Sequence, residues 1–256
     1  MRDKSQKGRS ARHRWYLLIP LVLFLAGFLF LLYPSFSNWQ FNVGVKTRKA
    51  QFEQQIEEKT SNITDVEGNE NSSQSELLFE ELYRELSRRN TELYESHQQD
   101  LTDPWAYEQQ GIDLSEYGLD GNVIGFLTIP KMNLELPILL GASRKNMAQG
   151  AVHLTETSYP IGGENTNCVI AAHRGYSGAA MFRDIEKLEL GDEIYIENFR
   201  ETLTYKVVEI RIIDPTDIDQ VLIQEGRDLV TLITCHPYRH NYQRYVVFCE
   251  RVLPNS

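Results

Sequence analysis

Cysteine is scarce in this 256-residue chain, and basic charge is scarce beyond its first 14 positions. Only Cys168, Cys235 and Cys249 occur, an odd number, so at least one thiol has no partner within the chain. Cys168 and Cys249 lie in apolar strand-like runs, where a reduced thiol behaves as a small hydrophobe, and a bridge between those two is left open. Cys235 stands apart, at the junction of a strand and a loop. With six of the 26 basic and one of the 36 acidic residues in the leader, the remainder holds 20 against 35, about −15. No basic stripe with interleaved aromatics breaks that acidity, which sets nucleic acid aside as a partner. Internal repeats are absent as well.

What the chain does have at its front is a membrane signal. Arg2, Lys4, Lys7, Arg9, Arg12 and Arg14 face a single acid, Asp3. Leu17 to Leu32 then carry no ionisable side chain, and Trp15, Tyr16 and Tyr33 flank them. With its flanks the run approaches the roughly 20 residues that cross a bilayer, and rings at both ends suit the two interfaces. Basic residues ahead of it predict a cytoplasmic N-terminus and an extracellular remainder, a single-pass cell-membrane topology. Tyr33-Pro-Ser-Phe-Ser-Asn-Trp39 offers no small-x-small cleavage site, so the run reads as an uncleaved anchor rather than a signal peptide. Pro20 is tolerated in such a helix.

Five segments follow from this reading. Residues 1–14 form a basic cytoplasmic tail, 15–33 the transmembrane anchor and 34–74 an extracellular stalk or linker. Within the stalk, Lys46 to Lys59 is compatible with a helix, and Thr60 to Ser75 reads as a loop. Residues 75–121 form an N-terminal helix and a following segment. Ser73 with Glu76 resembles a capping box, and Leu78, Leu82 and Leu86 repeat every four residues beside Phe79 and Tyr83, a stripe for packing on the chain's own domain. Asp103-Pro104-Trp105 breaks the helix, either as a turn or as a carboxylate and ring placed to plug a pocket. Residues 122–256 are mainly β. Strands are expected at 123–129, 134–139, 168–172, 193–197, 203–213, 229–234 and 245–251, with short helices near Asn146 and at 181–188. Many short strands at this spacing point to a sandwich or barrel. The alternation of Leu134-Glu-Leu136-Pro-Ile138 predicts a strand with one wet face.

The chemistry gathers near the end of the chain. Leu229 to Ile233 and Tyr245 to Phe248 read as two strands joined by a polar, proline-containing loop. If they pair, Cys235 and Arg244 reach one rim of a sheet. Among six histidines, His173 alone ends an apolar run, Cys168-Val-Ile-Ala-Ala, and opens into a glycine-rich loop, Arg174-Gly175-Tyr-Ser-Gly178. A thiol with a reference pKa near 8.5 needs a neighbouring base or cation to act as a thiolate. Cys235 as nucleophile, His173 as acid/base and Arg244 as stabiliser of an oxyanion would fill the three roles of acyl transfer. Two rivals stand beside this. Cys235, His236 and His240 have metal-ligand chemistry, but no partner pair of the CxxC or HxxxH kind stands nearby to complete a set, so neither metal nor other cofactor is expected. Alternatively, the chain is an inactive anchored binding module with a strand-end cysteine.

Thr231-Leu-Ile-Thr-Cys235 with Arg244 resembles the sortase signature TLxTC…R, and Ala172-His173-Arg-Gly resembles its histidine motif. The resemblance covers about residues 75–253. It implies a closed eight-stranded β-barrel with short helices, and a cysteine transpeptidase of the Gram-positive envelope. Such enzymes cleave an LPxTG-like sorting signal between Thr and Gly, hold it as a thioacyl-enzyme and release it to an amine. Thr157-Ser-Tyr-Pro160-Ile-Gly-Gly163-Glu-Asn-Thr166 and Asp228-Leu-Val-Thr-Leu-Ile-Thr-Cys-His-Pro237-Tyr238-Arg-His-Asn241 resemble segments of class C, whose amine acceptor is a pilin lysine. The alternative acceptor is a peptidoglycan precursor. Asp103-Pro104-Trp105 resembles the class C lid, in which the Asp meets the catalytic Arg and the ring covers the Cys. His236 departs from that class, which usually has Thr there.

Overall fold

The computed structural model describes residues 7–61, 70–98 and 112–253. Its first element, α1 (Lys7–Ser61), takes in the apolar run, with Pro20 and Pro34 inside it. Residues 18–36 are exposed along their whole length, and this helix is long and apolar enough to cross a membrane. Beyond the run the same helix packs on the rest of the chain. Val45 and Phe52, two turns apart on one face, are buried in the main core. Phe52 tilts its ring against Phe126, with centroids 5.6 Å apart. Lys49, between them, bridges Glu135 at 2.7 Å and Glu197 at 2.8 Å. In sequence this stretch reads as a stalk; in the structure it lies on the domain.

The second helix, α2 (Glu70–Glu95), starts three residues before Ser73, so Ser73 lies inside it and not at its start. In its apolar stripe Leu82 and Leu86 are fully buried, and Phe79 and Tyr83 pack against the same core. One turn on, buried Asn90 accepts the Tyr159 N–H at 2.7 Å, tying the helix to the domain.

Eight strands then close on themselves: β1 (Val123–Ile129), β2 (Leu134–Leu140), β3 (Ala151–His153), β4 (Thr166–Ala171), β5 (Glu193–Asn198), β6 (Thr202–Ile213), β7 (Asp228–His236) and β8 (Gln243–Arg251). Their order round the barrel is β1-β2-β3-β4-β7-β8-β6-β5, with β5 returning to β1. Closure removes the unpaired edges that an open sheet would expose. Only β2 with β3 and β4 with β7 run parallel. Gly125, at a bulge in β1, is required by close approach, since a Cβ there would come within 2.4 Å of the Glu197 carbonyl oxygen on β5. The short helices fall where expected, α3 (Arg144–Met147) and a 3-10 turn at Met181–Lys187.

One strand escapes the sequence pattern, and one expectation needs correction. The eighth strand, β3, carries no alternating pattern because all three of its residues are buried. The wet face foreseen for β2 shrinks to one residue, Glu135, as every other position from Leu134 to Leu140 is buried. The reason is cover: α1 lies along β2, and Glu135 stays polar because it meets Lys49.

Candidate active site

Alternation along three neighbouring strands aims three side chains the same way. On β7, Val230 and Leu232 join the main core, while Ile233 joins a smaller apolar cluster on the other face. Cys235 lies two residues beyond Ile233 and so shares its face. On β8, Val246 and Phe248 belong to the smaller cluster, and Arg244 precedes Val246 by two. On β4, Val169 and Ala171 do, and His173 follows Ala171 by two. Register then brings the groups level. Cys235 and Arg244 are direct partners across the antiparallel pair, and Ala171 partners Ile233 across the parallel one. The strand ends are tied: the Ala172 N–H donates to the Ile233 carbonyl at 3.3 Å, and the Thr234 hydroxyl donates to the Ala172 carbonyl at 2.7 Å.

These groups line one cavity of about 250 Å³. Its floor is apolar, built from Ala142, Met147, Leu154, Ala171 and Ile233. Around it stand His173, Cys235, Asn241 and Arg244. Such a site is suited to an aliphatic side chain held beside a reacting carbonyl.

Each group has its own surroundings. His173 is half-buried and stacks on the Tyr176 ring, 4.8 Å between centroids and 13° between planes. Burial pushes its pKa below the ordinary imidazole value, so the resting ring is neutral at pH 7. A neutral imidazole can accept a proton from a thiol. Cys235 is a free, partly exposed thiol, whereas Cys168 and Cys249 are free and buried, and burial pushes both of those thiols up. Cys168 and Cys249 both face Val230, from opposite sides of β7. Their Cα atoms are therefore about two strand spacings apart, roughly 9–10 Å, beyond the reach of a disulfide. The Arg244 Nη1 donates to the carbonyls of Asn241 at 2.7 Å and Gln243 at 3.0 Å, which ties the guanidinium to the junction of the β7–β8 loop with β8.

One further residue belongs to the site and escapes the sequence reading. Arg174, next to His173, is buried beneath the end of β7. Its Nη1 donates to the Cys235 carbonyl at 3.3 Å and to His236 Nδ1 at 2.8 Å, and its Nη2 pairs with Glu186 at 2.6 Å. Its guanidinium also lies over the Tyr245 ring, 5.8 Å from the centroid. His236 therefore turns Nδ1 toward Arg174, and His240 packs against Tyr242. Among the described residues no group of three His, Cys, Asp or Glu side chains converges as a metal set. Asp103, Pro104 and Trp105 lie outside the described residues.

Comparison with known proteins falls on the same region. Residues 127–252 match the family described as the Sortase domain. Sortase A of Bacillus anthracis is 33% identical over 156 residues, covering 60% of this chain and 72% of that one. The crystal structure of Streptococcus agalactiae sortase C1 with MTSET superposes with a TM-score of 0.65 at 28% identity, covering 80% of this chain and 98% of that one. The group B Streptococcus pilus island 1 sortase C2 gives a TM-score of 0.56 at 35% identity, covering 66% of this chain and 97% of that one.

Proposed function

We propose, since this chain belongs to the sortase family of cysteine transpeptidases, that it cleaves an LPxTG-like sorting signal between Thr and Gly and transfers the acyl group to a pilin lysine. The observation that carries the reading is the cross-strand pairing of Cys235 with Arg244 at a cavity that His173 also lines. In the proposed cycle His173, neutral at rest, takes the proton from the Cys235 thiol as Sγ bonds to the Thr carbonyl carbon. The imidazolium then gives that proton to the leaving glycine nitrogen as the C–N bond breaks, leaving a thioester. Arg244 faces the charge that gathers on the carbonyl oxygen. An incoming amine attacks the thioester, its proton passes through His173, and the thiol is restored. The apolar floor suits the Leu and Pro of the signal.

Pilin as acceptor is supported by the likeness to sortases C, among them that of a pilus island. The anchor reading takes α1 as a single span with a cytoplasmic N-terminus and the barrel outside, and Asp103-Pro104-Trp105 is proposed as a cover over the thiol. The test uses the full-length chain and an LPxTG peptide. Cys235→Ala and His173→Ala should each abolish cleavage; cleavage surviving in both ends the transpeptidase reading. In cells, Cys235→Ala should erase a high-mass protein ladder. A ladder left intact while surface proteins lose their wall attachment would instead make a peptidoglycan precursor the acceptor.

A further inference from the structure

The loop that follows His173 is held from a distance by the helix that begins the chain. From the end of β4 to the first residue of the 3-10 turn, Gly175, Ser177, Gly178 and Met181 all adopt positive φ, at 90°, 46°, 88° and 42°. Ser177 and Met181 carry side chains, so their backbones occupy a disfavoured region that surrounding contacts must maintain. The loop closes on itself through the Tyr176 and Ala179 backbones, at 3.0 Å and 2.8 Å. Its far side is secured by Phe182, buried in the main core, whose N–H donates to the His173 carbonyl at 3.0 Å.

Its near side has another support. The Ser37 hydroxyl donates to the Ser177 carbonyl at 2.6 Å, and the Ala180 N–H donates to Asn38 Oδ1 at 2.9 Å. The two surfaces are in such close contact that a Cβ on Gly178 would come within 2.4 Å of Ser37 Oγ. Within the same loop, Tyr176 stacks on the imidazole. Ser37 stands five residues past Leu32, about 7.5 Å along the helix from the end of the apolar run. Eight residues on, about 12 Å further, Val45 begins the buried face that fixes α1 to the barrel. The helix is thus a strut fastened at its lower end and touching the loop at its upper end.

We propose that Ser37 and Asn38, in the turn of α1 just past the apolar run, are positioning residues for His173, acting through the loop at 175–180 and its Tyr176 ring. The proposal rests on the reading of His173 as the acid/base. Both residues act on geometry and not on binding, so their loss should lower kcat and spare KM.

The experiment uses the full-length chain in detergent micelles with a quenched LPxTG peptide. The Ser37→Ala/Asn38→Ala protein should lose about five- to tenfold in kcat at unchanged KM, with a melting temperature like that of the wild type. Asn38→Ala alone should lose part of this, and Asn38→Asp, which keeps an acceptor for the Ala180 N–H, should recover it. Wild-type kcat in the double variant overturns the proposal. So does a loss that only follows a fall in melting temperature and that Asn38→Asp leaves in place. Cys235→Ala and His173→Ala are assayed alongside. Cleavage that survives in them refutes the catalytic reading and this one with it, whereas cleavage lost in them but untouched in the double variant refutes the positioning role alone.

Discussion

His153 should make the protein lose stability in mild acid by an amount the structure sets. The residue lies on β3, wholly buried, with its ring stacked on Tyr159 at 4.8 Å between centroids. Its Nε2 is 3.0 Å from the Thr157 carbonyl and 3.1 Å from that of Ser158, so Nε2 carries the proton and donates to both. Burial pushes its pKa down to about 4, against the pull of the two carbonyls. A histidine whose folded pKa lies below its unfolded value of about 6.5 contributes stability that is complete above pH 6.5 and is lost as pH falls toward 4. From pH 7.5 to 5 the unfolded chain gains that proton and the folded chain does not. A gap of about 1.5 pH units at roughly 1.4 kcal/mol each costs about 2 kcal/mol, or about 4–8 °C of melting temperature for a domain of this size. The comparison is with His153→Gln, which keeps a side-chain N–H for the two carbonyls and does not titrate. Thermal melts of both full-length proteins at the two pH values isolate this residue. Groups such as Asp228, whose carboxyl burial pushes up and which therefore changes stability in the opposite sense, cancel in the difference. Parallel losses in wild type and variant would refute the reasoning.

Arg174→Ala removes the donors to the Cys235 carbonyl and His236 and a pair with half-exposed Glu186. Melts should show a loss of about 2–3 kcal/mol, the ion pair counting little because its partner is solvated. Peptide turnover should fall about tenfold, and Arg174→Lys should restore little, because one ammonium cannot reproduce a fork. Unchanged melting and turnover would dismiss Arg174 as part of the site. Trp105→Ala should raise the rate at which iodoacetamide alkylates Cys235, with Cys168 and Cys249 protected by burial; an unchanged rate would leave Trp105 without the covering role proposed for it.

Much of the barrel is legible in the sequence because strands that run between punctuating loops keep a local pattern. The pair β7 and β8 is the clearest case. Two apolar runs joined by a polar loop suffice to place Cys235 beside Arg244, and the register agrees. β3 stays hidden because Ala151-Val-His153 is too short to alternate and is buried on every side. His153 was also unreadable, since nothing in its neighbours announces a fully buried ring. Arg174 sits next to a candidate histidine, yet its partners Cys235, His236 and Glu186 come from other parts of the chain. The contact of Ser37 and Asn38 with residues 177 and 180 spans some 140 positions and leaves no periodic trace. Side chains that act by touching distant loops are visible only once the chain is folded.

An unbroken α1 couples two directions in space. A helix advances about 1.5 Å and turns about 100° with each residue, so the angle at which the barrel faces its surroundings is indexed to the apolar run by residue count alone. One alanine inserted between Tyr33 and Pro34 would leave every contact from Ser37 onward intact while swinging Cys235 by about 100° around the helix axis. Chemistry on a small soluble peptide would not notice. Under the proposed anchoring, a substrate held in the same membrane would find the thiol pointing elsewhere, and the heading of the enzyme would become a measurable property, separate from its turnover.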